Sequence, residues 1–296
     1  MNKIDSQLTI VLPVYNEIKS LPVSLPEIIS GCKKNNFRLV VIDDGSQDGS
    51  REYLDQIGFE NATFAQVIHH KVNRGYGGAL KTGILSTKTR FILTMDADGQ
   101  HIFDDVIRIF EMALTQEADL VIGKREGISS GWFRNLGKWL IKTFTNYLIP
   151  IKDIDLNSGF KLYRTEFAAK YCKVCPEGMA FSDVITIIFL SEKKYVRSIP
   201  INIRERIAGE STIGIYTAFD TVLEILNIIM LFNPLRIFLP ASIFSILIGT
   251  IWAIPILFMG KGVSVGSMLA IVVGVLFFIL GLLAHQLSEI RLSTLR

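Results

Sequence analysis

Cysteine is scarce in this chain of 296 residues, which holds only Cys32, Cys172 and Cys175. That excludes a disulfide-stapled scaffold. Cys172-Lys173-Val174-Cys175 has the spacing of half a zinc site but no second pair to close a tetrahedral ligand set, so these read as free thiols. A surplus of charge is also lacking. The 31 Lys+Arg and 28 Asp+Glu leave a net +3, which argues against a nucleic-acid binder. Apolar residues at 49% and charged ones at 20% exclude a disordered chain. The first seven residues are polar and include Asp5, with no basic start running into an apolar stretch, so no signal peptide is expected.

Charge is missing above all from the C-terminal part. Beyond Pro234 the charged residues are Arg236, Lys261, Glu289, Arg291 and Arg296, and the first 233 residues therefore hold 27 charges of each sign. Ile237–Gly260 and Gly262–Ser288 are uncharged for 24 and 27 residues. At ~1.5 Å rise per residue each run can cross a hydrocarbon layer of ~30 Å. A two-span hairpin is therefore expected over residues 234–296, which accounts for a mean hydropathy of +0.38. The flanking arginines predict, by the positive-inside rule, that the catalytic part and the C-terminus lie in the cytoplasm, with Lys261 in a short outer turn. In Phe219–Phe232 the polar Asp220, Thr221, Glu224 and Asn227 form one narrow stripe. That predicts an interfacial helix within residues 216–233. Trp132–Ile149 sets Arg134, Lys138 and Lys142 beside Trp132, Trp139 and Phe144. It reads equally as a membrane-surface helix or a docked helix with a solvated basic face.

The first 215 residues alternate strand and helix. Strands are expected at Leu8–Leu12, Phe37–Ile42, Thr63–His69, Arg90–Met95, Asp119–Ile122, Gly159–Tyr163 and Tyr195–Ile203. Helices are expected at Glu17–Lys34, Asp48–Ile57, Gly75–Lys88, Asp104–Thr115 and Phe181–Glu192. This pattern predicts an α/β domain, its mostly parallel sheet covered by helices on both faces and its ligands at the carboxyl ends of strands.

The acidic clusters follow strands. Asp96-Ala97-Asp98 comes directly after one. Two carboxylates at i and i+2 repel unless a cation lies between or beside them, and a hard divalent ion bridged to a diphosphate does this. Gln100 and His101 follow within reach of the same ligand. Asp-x-Asp alone is common, but here Pro13-Val14-Tyr15-Asn16-Glu17 and Asp43-Asp44-Gly45-Ser46 also end strands. His70–Gly78 precedes a helix, where free N–H groups and Arg74 could face phosphate. The glycines lack G-x-G-x-x-G spacing, which disfavours a dinucleotide site.

Pro13–Glu17, Val41–Ser46, Asp96–His101 and Asn157–Lys161 stand in the order found in family 2 inverting glycosyltransferases of GT-A fold. The chain resembles in particular the polyprenyl-phosphate branch typified by dolichyl-phosphate mannose synthase. The resemblance covers residues 8 to about 215 and extends into the hairpin. It implies that Pro13, Tyr15 and Glu17 line the nucleotide pocket and that Asp43 and Asp44 hold base and ribose. Asp96, Asp98 and Gln100 would hold Mg2+ or Mn2+ and the donor diphosphate. Arg125 and Arg134 would meet the lipid phosphate. Arg204 through Ser211 resembles the family's R-x-R-x-x-G-x-S segment, so Arg204, Arg206 and Ser211 would contact phosphate, although Thr212 stands where many members have Lys. Asp183 lies where many family members place a catalytic carboxylate and would act as an orienting group; the alternative is an acidic residue favoured at a helix N-terminus.

The resemblance thus implies metal-dependent, inverting transfer of one sugar from a UDP- or GDP-linked donor to undecaprenyl or dolichyl phosphate at the cytoplasmic membrane. Two anions must be joined, so a divalent cation and arginines are the expected tools. The acceptor phosphate is already ionised near pH 7 and needs no strong base, which favours Asp96 and Asp98 as metal ligands. A processive polysaccharide synthase would carry Gln-x-x-Arg-Trp and more spans, and neither is present. A non-catalytic adaptor that keeps a nucleotide-sugar pocket is the other alternative, opposed by the intact Asp96/Asp98 pair. A flippase or downstream transferase is left open as a partner, as is a homo-oligomer. GxxxG spacing is absent from the spans, though Gly249, Gly274 and Gly281 permit close helix contact.

Overall fold

The computed structural model describes residues 6–125, 154–156, 158–204, 230, 234–260 and 262–293. The chain divides into two compact units, Met1–Trp132 with Ile151–Thr212, and Phe133–Pro150 with Ile213–Arg296. Seven strands build the sheet of the first unit: β1 (Leu8–Val14), β2 (Arg38–Asp43), β3 (Ala65–His69), β4 (Phe91–Thr94), β5 (Leu120–Arg125), β6 (Lys161–Arg164) and β7 (Val196–Ile201). Their spatial order is β3-β2-β1-β4-β6-β5-β7. Helices α1 (Leu21–Asn35), α2 (Ser50–Glu60), α3 (Tyr76–Ser86), α4 (Phe103–Thr115), α5 (Thr165–Tyr171) and α6 (Phe181–Ser191) connect them.

The central strands carry apolar runs, Ile10–Leu12, Leu39–Ile42 and Phe91–Leu93, because both faces are covered. Ile10 and Leu12 of β1 join one core with Leu21, Leu25 and Ile28 of α1 and with Val106 and Ile109 of α4. Val11 points to the other face, where α3 comes so close that a methyl at Gly83 would stand 2.3 Å from a Val11 methyl. β1 pairs in parallel with β2 and β4, β2 with β3, and β5 with β7. β6 runs antiparallel to both β4 and β5. The sheet is therefore mixed and mostly parallel, with helices on both faces.

α1 starts at Leu21 rather than Glu17. The N–H groups of Ser20 and Leu21 both donate to the Glu17 carbonyl, at 2.9 and 3.0 Å, so residues 17–20 form a turn. Pro22 then falls in the first helical turn, where no amide partner is lost. α5 and the short 3-10 turn Cys172–Val174 were not foreseen; their shortness gives little periodicity to read.

From β1 the chain steps outward to β2 and β3, then returns through α3 to β4 on the other side of β1. The direction of winding thus reverses between β1 and β4, and the loops leaving their carboxyl ends frame the crevice where such sheets take ligands.

In the second unit α7 (Leu235–Phe258) and α8 (Val265–Ser293) are both long and apolar enough to cross a membrane. They pack closely through glycine. A methyl at Gly249 would meet the Ser267 carbonyl at 2.8 Å, and one at Gly274 would meet the Ser242 carbonyl at 3.0 Å. The Ser245 hydroxyl donates to the Ala270 carbonyl across the pair at 2.8 Å. The expected surface helix Trp132–Ile149 lies outside the described residues, as does Phe219–Phe232 apart from Met230.

Candidate active site

The loop after β2 is organised by its own acidic residues. Asp44 is buried. Its Oδ1 takes a 2.6 Å bond from His70 Nδ1 and a 2.9 Å bond from the Arg74 N–H, and its Oδ2 takes the Gly75 N–H at 2.8 Å. Asp43, fully buried, accepts the Ser46 N–H at 2.9 Å, faces His69 Nδ1 at 2.8 Å and lies 3.4 Å from Arg51 Nε. Burial pushes the Asp43 carboxyl up, but hydrogen bonds from His69 and Ser46 outweigh it and leave the pKa below its ordinary value.

The same loop fastens the one after β1. Ser46 Oγ accepts the Asn16 N–H, Ser50 Oγ accepts the Glu17 N–H and Asp48 accepts the Ile18 N–H, each at 3.0 Å. Tyr15 is left exposed at this rim, and Glu17 accepts the Ser20 hydroxyl at 2.8 Å. Pro13, half-buried, sits at the end of β1 in register with Ile42. Three N–H groups at the start of α3 are taken up within the protein. Arg74 and Gly75 donate to Asp44, and the Gly78 N–H donates to the Glu177 carbonyl at 3.0 Å.

Asp96 and Asp98 leave β4 on the other side of the crevice. Tyr76, the first residue of α3, donates its hydroxyl to Asp96 Oδ1 at 3.1 Å. The Asp96 carboxylate also lies against the bare backbone of Gly159. A methyl there would stand 2.8 Å from the Tyr76 oxygen and 2.9 and 3.1 Å from the two Asp96 oxygens. Asp98 is buried, and its Oδ1 accepts the Gln100 N–H at 3.1 Å. Ala97, between them, is tied to α1 through a 2.9 Å bond from Ser24 Oγ to its carbonyl. No group of three or more His, Cys, Asp or Glu converges among the described residues. Two hard carboxylates without a full protein cage match a Mg2+-like cation that completes its shell with substrate phosphate and water. The donor set therefore fits the implied metal.

His101 stacks on Phe160, with ring centroids 4.7 Å apart. Burial, against the opposing pull of Asp98, lowers its pKa to about 4 and keeps it neutral. A small cavity opens here, with Glu27, Asp96, His101 and Arg204 on its walls. Arg204 pairs with Glu27 at 2.7 Å, and its N–H donates to the Gln100 carbonyl at 2.9 Å.

Arg125, at the end of β5, is gripped by Asp155 through bonds of 2.9 and 3.4 Å. Burial disfavours its charge, but Asp155, Asp96 and Asp183 together hold its pKa above the ordinary arginine value. Asp183 lies in the first turn of α6. Below it, Lys161 is wholly buried and donates to the carbonyls of Leu156 (2.5 Å) and Ser182 (2.6 Å) and to Thr186 Oγ1 (2.8 Å). Burial lowers its pKa to about 8, against the attraction of Asp183 and Asp155.

Asp96 and Arg204 thus line one cavity, Asp98 and Arg204 both bond to the Gln100 backbone, and Asp96 and Asp183 lie close enough to act on the charge of Arg125. Asp43 and Asp44 are occupied by protein donors. Arg134, Arg206 and Ser211 lie outside the described residues. Sequence reasoning missed Tyr76, Lys161, Asp155 and Glu27. The Gly159 and Lys161 motif was visible, but a buried lysine beginning an apolar strand has no signature of its own.

The profile of Glycosyl transferase family 2 matches residues 9–172, and that of the GtrB C-terminal hairpin matches residues 233–290. The chain is 30% identical to undecaprenyl-phosphate 4-deoxy-4-formamido-L-arabinose transferase of Aeromonas hydrophila, over 80% of this chain and 72% of that one. It is 28% identical to polyprenol monophosphomannose synthase of Mycolicibacterium smegmatis, over 68% and 79% of the two chains. Its fold is similar to that of glucosyl-3-phosphoglycerate synthase from Mycobacterium tuberculosis, solved with Mn2+, UDP and phosphoglyceric acid, with TM-score 0.59 at 18% identity over 75% of this chain and 78% of that one. The family profile and these relatives make the chain a glycosyltransferase, and its mostly parallel sheet is of GT-A type. The chain belongs to glycosyl transferase family 2.

Proposed function

We propose that this glycosyltransferase moves one sugar, with inversion, from a UDP- or GDP-linked donor to a polyprenyl phosphate at the cytoplasmic face of a membrane. The observation that carries the reading is the Asp96/Asp98 pair at the crevice, with the Arg125 charge acting on Asp96. Relatives named for undecaprenyl-phosphate and polyprenol substrates support the acceptor class. Two helices long enough to span a membrane are in line with a lipid substrate.

In this reading Pro13, Tyr15 and Glu17 line the nucleotide pocket, with Asp43 and Asp44 as its second wall. Asp96, Asp98 and Gln100 hold Mg2+ or Mn2+ with the donor diphosphate. A cation bound there supplies Lewis-acid stabilisation of the charge on the departing diphosphate. The mycobacterial synthase of the same fold holds Mn2+. Arg125 and Arg204, with Arg134, Arg206 and Ser211, offset the charge of the acceptor phosphate. Arg125 must then share Asp155, and Arg204 must share Glu27, with the incoming anion. An acceptor oxygen attacks the anomeric carbon, the bond to the nucleoside diphosphate breaks, and Asp183 orients the sugar.

The test is transfer by the purified full-length chain in detergent, with Mn2+ or Mg2+, from a panel of UDP- and GDP-sugars to undecaprenyl and dolichyl phosphate. One donor is expected to give an organic-extractable glycolipid of inverted anomeric configuration, and EDTA to stop the reaction. No transfer from any donor overturns the reading.

A further inference from the structure

The Asp96 carboxylate is held from two sides by groups that are far away in sequence. Tyr76 brings a hydroxyl to Oδ1 from the start of α3. Gly159 brings a wall without a side chain from the segment before β6. The backbone of Gly159 needs no positive φ, so only space demands glycine here. Thr94, two residues before Asp96, donates its hydroxyl to the Gly159 carbonyl at 2.8 Å and so fixes that wall to β4.

We propose that Tyr76 and Gly159 form a positioning cradle that fixes the Asp96 carboxylate in the orientation needed to hold the donor's cation. This rests on reading Asp96 as a metal ligand. A ligating carboxylate left to rotate must be ordered at each binding event, and the partner that orders it in advance commonly changes metal affinity severalfold or more. Tyr76 suits the task because its hydroxyl, fixed at the first residue of α3, donates to Asp96 Oδ1 at 3.1 Å. It is a positioning residue, acting through Asp96 and not on the substrate.

The test is Mn2+ binding to the full-length chain in detergent, with UDP and separately GDP present, read by water-proton relaxation. Asp96→Asn is the reference for losing the ligand. Tyr76→Phe removes one oxygen from the cradle and should weaken Mn2+ binding about 10- to 100-fold, while the melting temperature stays within about 4 °C of the parent. Gly159→Ala should weaken binding at least as much, because its methyl displaces both partners. A purely structural role for Tyr76 would move the melting temperature and leave Mn2+ affinity alone. Should Gly159→Ala not fold, Tyr76→Phe decides. Parent-like binding in Tyr76→Phe with weak binding in Asp96→Asn overturns the cradle alone. A parent that takes up no Mn2+, or an Asp96→Asn variant that binds like the parent, overturns the reading of Asp96 and the cradle with it.

Discussion

Two acidic pairs end two parallel strands of one sheet, and they lead different lives. Asp43 and Asp44 end and follow β2 and bind the protein to itself. Between them they engage three backbone N–H groups, both His69 and His70, and Arg51. Asp96 and Asp98 follow β4 at the point where the winding of the sheet reverses. There a phenol and a glycine backbone orient the first carboxylate, and the Gln100 N–H bonds the second. The residue type and the position after a strand are the same. What differs is where the donors come from. After β2, Ser46 and the 69–75 segment fold back over the carboxylates. We read the first pair as architecture that shapes a pocket and assign the second to chemistry.

Three substitutions sharpen or break that contrast. The largest effect is expected at Asp98. Asp98→Ala should lower transfer by roughly 10²–10³-fold with a folded chain, as measured by initial rates and circular dichroism. Near-normal transfer would contradict the assignment of chemistry to the Asp96/Asp98 pair. Asp44→Ala should act first on stability. It leaves buried His70 and two N–H groups without their acceptor, for about 3 kcal/mol, read as a lowered melting temperature. A variant as stable as the parent but unable to bind nucleotide would make Asp44 a ligand-binding residue and collapse the contrast. The smallest effect is on the acid limb. The Asp43 pKa is lower in the folded chain than its unfolded value of about 3.9. Its stabilisation is therefore complete above that value and is lost as pH falls through the lower folded pKa. Asp43→Asn should flatten the acid unfolding profile below about pH 4 and leave its shape near neutrality unchanged.

Much of this was legible in the sequence. The strands could be read because a sheet covered on both faces requires apolar runs, as in Ile10–Leu12 and Phe91–Leu93. The crevice could be read because its carboxylates follow those runs. The reversal of β6 could not be read, since a strand's direction depends on the path of the long connection from Arg125 to Lys161 and not on its own residues. The role of Asp43 and Asp44 was hidden for a related reason. Their donors come from residues 69–75, about thirty positions later, and adjacency in sequence says nothing of that return. Lys161 was hidden because its partners are two backbone carbonyls and one hydroxyl, which no spacing rule marks.

The assignment of chemistry to the β4 pair is tested most directly by locating Mn2+ through its anomalous scattering in a crystal of the full-length chain grown with a nucleoside diphosphate. The account predicts a single strong peak bound to the carboxylates of Asp96 and Asp98 and to diphosphate oxygens, with Asp43 and Asp44 still bonded to His69, His70 and the 74–75 backbone. A peak on Asp43 or Asp44, or a bound nucleotide whose diphosphate stands away from Asp96 and Asp98, would contradict it.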